Sequence, residues 1–309
     1  MTTPTAPATV SRCLATGAVI VAGDATASDL AVWLAGVSRA VAANPVVEGL
    51  ANPVDMLMTR QQAAADVPVR SLMGLVGVRR MALLRPMVGR LQGTQVRLMG
   101  LADTVVPAML GWETVAVMSP GPGLPERRGT LQREPERTSE TAALWLPARL
   151  VAEAHVANDT GALPPTKPVE FDLAAVGRMR SRYSPLLYLR VLAWLSGQVP
   201  LRSGWSKRFV GSGRAQIRVP VPDAGLLIGV DALRRKADLD RLALAPAKAD
   251  LAAAGVNLHV EWIRLAGYEQ VFTHLALTVS LREARPEAKP RTGIRKLRLK
   301  PRVPAGAAA

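Results

Sequence analysis

An α+β fold, in which helices precede a two-stranded β-hairpin in two successive units, is predicted by three observations. Apolar residues recur at three- and four-residue spacing in separate stretches of both halves, as amphipathic helices require. Alternating runs flank a Pro-, Gly- and charge-rich stretch in the first half and a short glycine turn in the second, as hairpins require. The 309 residues, 49% hydrophobic and 20% charged, supply enough apolar material for two cores.

The first dozen residues, rich in Thr, Pro and Ala, read as a flexible tail that runs to residue 27. Helical spacing begins at Ser28, where Leu30, Trp33, Leu34, Val37 and Val41 share a face. Thr26 or Ser28 offers an N-cap, and Asn44-Pro45 stops the helix. A second helix is expected over 54–65, and shorter ones between Leu72 and Leu91. Residues 113–118 and 144–155 are expected as strands around an exposed loop, 119–141, forming a hairpin with an enlarged tip. These elements make up a first, winged-helix-like domain over 28–160. A turn-rich segment, 158–168, separates it from a second domain over 169–281.

In that second domain helices are expected over 174–182, 184–195, 230–236 and 239–254. The 184–195 helix opens with Ser184 and Pro185, and Leu187, Val191 and Trp194 share its face. The 239–254 helix is kinked at Pro246 and ended by Gly255. The glycine-rich stretch 196–229 reads as loop with one strand near 215–219. Strands over 256–264 and 270–281 flank a turn at Gly267, and 282–309 is a basic flexible tail. Helices followed by a hairpin give the order of a winged helix-turn-helix, so the predicted fold is α+β with two winged-helix domains.

Charge points to the ligand. The chain carries 39 Lys+Arg against 24 Asp+Glu, a net of +15. Residues 1–169 hold 15 basic and 13 acidic side chains, a net of +2; residues 170–309 hold the other 24 and 11, a net of +13. A polyanion held mainly by the second half is the direct implication. The single cysteine, Cys13, excludes an internal disulfide framework and fits a reducing cytoplasm. No run reaches the roughly 18 apolar residues of a membrane span, so no membrane partner is expected. Localisation is expected to be cytoplasmic.

Catalysis finds no support in the motifs, and neither an enzyme activity nor a cofactor is expected. His155, His259 and His274 are isolated and form no metal-ligand spacing, although His259 and His274 are expected to face each other across the hairpin. Gly121/Gly123 and Gly211/Gly213 lack the Gly-Lys-Ser/Thr that completes a phosphate loop. A rolling-circle nuclease needs a His-x-His pair and a tyrosine nucleophile, but LHVEW has one histidine and Tyr268 sits at a turn.

The basic residues do form a pattern. Arg234, Arg235 and Lys236 close one helix immediately before the 239–254 helix, the arrangement in which the second helix enters a major groove. On that helix Arg241 and Lys248 lie seven apart on one face with Ala245 and Ala252, while Leu244, Ala247 and Leu251 form the opposite stripe. Arg241 offers a fork to a guanine edge or a phosphate, and Lys248 a phosphate contact. Arg178, Arg180 and Arg182 form a second cluster, Arg264 sits on the hairpin, and the tail adds Arg295, Lys296 and Arg298. Aromatics are only 4%, which argues for double-stranded DNA over a stacking platform for single strands.

SRYSPLLYLRVLAWL at 181–195 resembles the Ser-x-Tyr-Ser…Leu-Tyr helix that opens the second winged-helix domain of plasmid replication initiator (Rep) proteins. IGVDALRRK at 228–236 is similar to that family's next helix. LDRLALAPAKADLAAAGVNLHVEW at 239–262 resembles its recognition helix and following strand, and VFTHLALTVS its closing strand. The resemblance covers about 169–281. It implies binding to direct repeats (iterons) at a plasmid origin, opening of that origin, recruitment of host replication proteins such as a helicase, and self-association as dimers on the protein's own promoter. It also implies a first domain (28–160) that dimerises and contacts the DNA backbone, and association with the nucleoid or plasmid. The alternative is a winged-helix transcription regulator outside replication.

Overall fold

The structure, a computed structural model, describes residues 8–45, 52–98, 104–118, 138–155, 168–197, 201–211, 213–230 and 235–282. The first half begins with β1 (Ala8–Val10), α1 (Arg12–Gly17), β2 (Ala18–Ala22), α2 (Ala27–Ala42), α3 (Pro53–Met58) and β3 (Gln62–Pro68). It continues with α4 (Val69–Val76), α5 (Leu84–Gln92), β4 (Gln95–Leu98), β5 (Thr104–Pro107), β6 (Gly111–Met118), β7 (Thr138–Pro147) and α6 (Ala148–Ala154). The second half has β8 (Val169–Phe171), α7 (Leu173–Gly177), α8 (Ser184–Leu195), β9 (Ser206–Phe209), β10 (Arg214–Pro220) and α9 (Ala224–Leu227). A continuous helix over 236–253, here α10, precedes β11 (Val256–Leu265) and β12 (Tyr268–Leu281).

The halves repeat one order: helix, strand, helix, helix, hairpin. In the first, α2, β3, α4, α5 and the β6–β7 hairpin form a sheet in the order β3-β7-β6. In the second, α8, β10, α9, α10 and the β11–β12 hairpin give β10-β12-β11, with β9 added at the edge of β10. In both sheets the hairpin's second strand pairs with the earlier strand. The first half inserts α3 between α2 and β3, and β4 and β5, which join β2 in a separate sheet.

Local chemistry fixes the elements. Thr26 and Asp29 form a capping box at the start of α2. The Asp29 carboxylate is fully buried and takes a bidentate pair of bonds from Arg90, at 2.7 and 2.8 Å. That bond holds the Arg90 pKa above its ordinary value.

The halves are joined through their interior. β1 pairs with β8, and Ile20 donates to the Gly229 carbonyl at 2.8 Å beside a parallel bridge to Val230. Arg190, on α8, is fully buried and donates to Thr16 O (3.2 Å), Ala18 O (2.5 Å) and Leu227 O (3.0 Å). Burial pushes its pKa down to about 9, which leaves it charged at neutral pH. Gly229 adopts φ +85° beside it, and an added Cβ would sit 2.7 Å from Leu186 and 2.9 Å from Arg190. α7 packs on α2 and α4, and a Cβ on Gly177 would lie 2.1 Å from the Leu75 carbonyl oxygen. Buried residues of both halves, including Trp33 and Trp194, belong to one apolar cluster.

Several expectations need correction. Residues 8–22 are no tail, because Ala8 and Val10 are buried and pair with Phe171 and Val169. Within 54–65 the helix ends at Met58 and β3 follows: Ala63, Ala65 and Val67 alternate inward, a period of two that alanine's helix propensity masked. β7 ends at Pro147, and Ala148–Ala154 is helix. The 174–182 helix stops at Gly177. Val230 bridges to Ile20 instead of starting a helix, and residues 231–234 lie outside the described residues. So do most of the 119–141 loop, the 158–168 boundary up to residue 167, and the tail beyond residue 282.

Replacing Arg190 with Leu should destabilise the chain by about 3 kcal/mol or more, since three carbonyl oxygens lose a buried donor. Urea unfolding measures this, and a loss under about 1 kcal/mol would mean that the carbonyls find other donors.

Candidate nucleic-acid interface

Pro246 shapes the helix that carries the main candidates. It has no N–H to give the Leu242 carbonyl, and its ring crowds that oxygen. The chain responds with a wide π turn over Leu239–Leu244, where the Ala245 N–H donates to Asp240 O, five residues back. The helix runs on without a break into Ala245–Ala253. Leu239, Ala243, Leu244, Ala247 and Leu251 are buried, while Arg241, Ala245, Lys248 and Ala252 are exposed. The expected division of faces is thus present. The Arg241 side chain is 76% exposed and has only a loose ion pair, 3.8 Å to Asp238.

The start of α10 is tied to the hairpin. Lys236 Nζ lies 2.7 Å from Asp240 Oδ2, and the Trp262 indole donates to Asp240 Oδ1 at 2.8 Å. The same ammonium stands 5.3 Å from the ring centroids of both Trp262 and Phe272. Arg264 covers Phe272 at 5.5 Å, and the two rings meet edge to face at 6.0 Å. Lys236 therefore opens α10, not the end of a preceding helix, and its charge is used internally. Arg235 is exposed at the N-cap position, and Arg264 is exposed on the hairpin. Arg234, Arg295, Lys296 and Arg298 lie outside the described residues.

Asp250 was not singled out from the sequence, yet it organises this region. Its Oδ2 accepts from Arg180 N (3.0 Å), Ser181 N (2.9 Å) and Ser184 Oγ (2.6 Å). The last turns of α10 are thereby docked on the turn before α8, which brings the exposed Arg178 and Arg180 beside them. Arg178 makes only a loose exposed pair with Asp172, at 3.8 Å. Arg182 behaves differently: it is half-buried, donates to Gly23 O at 3.3 Å and lies 5.5 Å from the Tyr183 ring centroid. It packs inward instead of joining the exposed cluster.

The first half adds cations that the sequence reading overlooked. α4 and α5 hold the place in the order that α9 and α10 hold in the second half. Arg70, Arg79, Arg80 and Arg85 on and between them are exposed, and none has an ion-pair partner among the described residues. The near-zero net charge of that half concealed them; the VRR run at 78–80 ahead of a helix was the available signal.

No group of three or more metal-binding side chains occurs among the described residues. His259 stands opposite Thr278 and His274 opposite Ile263, so the two histidines are not partners; bulges near the turn shift the register. His155 is buried with Nε2 2.5 Å from Asn44 O. No described helix is long and apolar enough to cross a membrane. No protein-family model and no curated protein matches the chain.

Asp250→Ala should lower stability by about 3 kcal/mol through the loss of three bonds to one carboxylate. Denaturant unfolding reads this, and a change below about 0.5 kcal/mol would show that the turn holds without it.

Proposed function

We propose that this chain is a sequence-specific double-stranded DNA-binding protein that initiates plasmid replication, with a winged-helix domain in each half. The observation that carries the reading is the exposed row Arg241, Ala245, Lys248 and Ala252 on α10, flanked by Arg178 and Arg180. Ala245 between the two cations and Ala252 beyond Lys248 let a helix come close to base edges, so that Arg241 reaches a guanine with its fork and Lys248 a phosphate. The repeated helix–strand–helix–helix–hairpin order supports a winged-helix domain in each half, since it is the order such domains use. Arg70, Arg79, Arg80 and Arg85 give the first domain a backbone contact of its own.

The replication part of the reading rests on the Rep-like sequence at 169–281. Two domains holding one duplex can repay the cost of bending it with added phosphate contacts, and a bent origin is easier to open. Self-association and contact with a host helicase belong to the same reading. No step in it requires a catalytic group or a cofactor.

Fluorescence anisotropy across a salt series, on DNA flanking the gene and on scrambled duplex, tests this. Tight binding that depends on tandem direct repeats and survives physiological salt is expected. A requirement for a single palindrome would indicate a transcription regulator, and equal, salt-labile binding to both DNAs would contradict the reading. Arg241→Ala should cost about 1–3 kcal/mol on the specific site and little on scrambled DNA. Deleting 286–309 should weaken binding to all DNA and flatten the salt slope; an unchanged slope would exclude the tail as a contact.

A further inference from the structure

The second sheet turns one face toward the helices and the other to solvent, and the solvent face carries charge that no DNA contact by α10 would use. Along β10, Ala215, Ile217 and Val219 are buried, so Arg214, Gln216 and Arg218 point outward. The register places Arg208 of β9 opposite Gln216 and Ser206 opposite Arg218. These four side chains therefore form a square on the outer face, with the two arginines on its diagonal. Together with Lys207 they line a surface cavity of about 150 Å³.

The square is held in place. Arg208 Nε donates to Gln216 Oε1 at 2.7 Å, and Gln216 Nε2 donates to Thr278 Oγ1 at 3.4 Å. This relay fixes which end of the Gln216 amide faces Arg208, and the guanidinium's terminal nitrogens have no hydrogen-bond partner among the described residues. Lys207, one residue on, sends its ammonium to the Gly197 carbonyl and over the Phe209 ring, away from the square. Among the described residues no carboxylate pairs with Arg208 or Arg218. Asp223 is engaged by the Trp205 indole at 2.8 Å, and Glu261 stands two strands from Arg218, beyond Ala276.

We infer that the cavity between Arg208 and Arg218 is a phosphate-binding site, separate from the α10 surface and on the opposite side of the sheet. Two forked guanidinium groups and the Ser206 hydroxyl offer donors from several directions, which suits a tetrahedral oxyanion better than a planar carboxylate. Uncompensated positive charge in a concave surface raises the local anion concentration. The inference stands apart from the DNA reading, because α10 and this cavity lie on different faces. The phosphate could be a free one or a group of a nucleic-acid backbone, and the two sources are separable.

The test uses the full chain labelled with ¹⁵N-arginine, titrated in one arm with inorganic phosphate and in another with a short scrambled duplex, at constant ionic strength. The Arg208 and Arg218 Nε resonances, assigned from single variants, are expected to move saturably with inorganic phosphate. Movement with the duplex alone would assign the site to backbone phosphate. Arg208→Lys/Arg218→Lys keeps the charge but removes the forks and should weaken binding about tenfold or more. If neither ligand moves the two resonances, or the Lys variant binds equally well, the site is overturned, whatever anisotropy shows for DNA.

Discussion

The buried guanidinium of Arg190 is the interaction on which the arrangement of the two halves depends. It lies in the interior, paired with no carboxylate among the described residues, and donates to three carbonyls, two from the N-terminal segment and one from the end of α9. A buried charge is tolerated only where its donors are met, so the segments that supply those carbonyls must stay in place. Around it the chain adds the β1–β8 pair, the Ile20–Gly229 bond and the close approach of Gly177 to Leu75. Residues 8–22 thus act as a strap across both units, and the apolar cluster runs through them without interruption.

The two units reach the same order by different sequences. Each sheet sets its hairpin against an earlier strand, and each places a pair of helices between them. They differ in what is added: α3, β4 and β5 in the first, β9 in the second. The second unit also locks its hairpin to the helix start through Lys236, Asp240, Trp262 and Phe272. That lock spends one predicted DNA-binding cation on structure and leaves Arg241, Lys248, Arg178 and Arg180 outside.

Much of the second unit was legible from sequence. Ser184–Leu195 has a proline at its first turn and a clear apolar stripe, and β11 and β12 alternate strongly around Gly267. The first unit was harder because β3 is built largely of alanine: in QAAADVP the period of two is carried by small side chains that also suit helices. The strap was missed because Thr, Pro and Ala at a chain end resemble a tail, and only pairing with distant residues reveals β1. Of the candidate site, the exposed and buried faces of α10 followed from spacing alone. Asp250 and the inward turn of Arg182 did not, since each depends on a partner 66 or more residues away in the chain.

Hydroxyl-radical footprinting of the full chain on the DNA flanking its gene tests the central claim most directly. Two helix-bearing units held in one body predict two protected segments on one face of the duplex, centred about one helical turn, roughly 10 base pairs, apart. A single protected segment, or uniform weak protection along the whole fragment, would contradict the account.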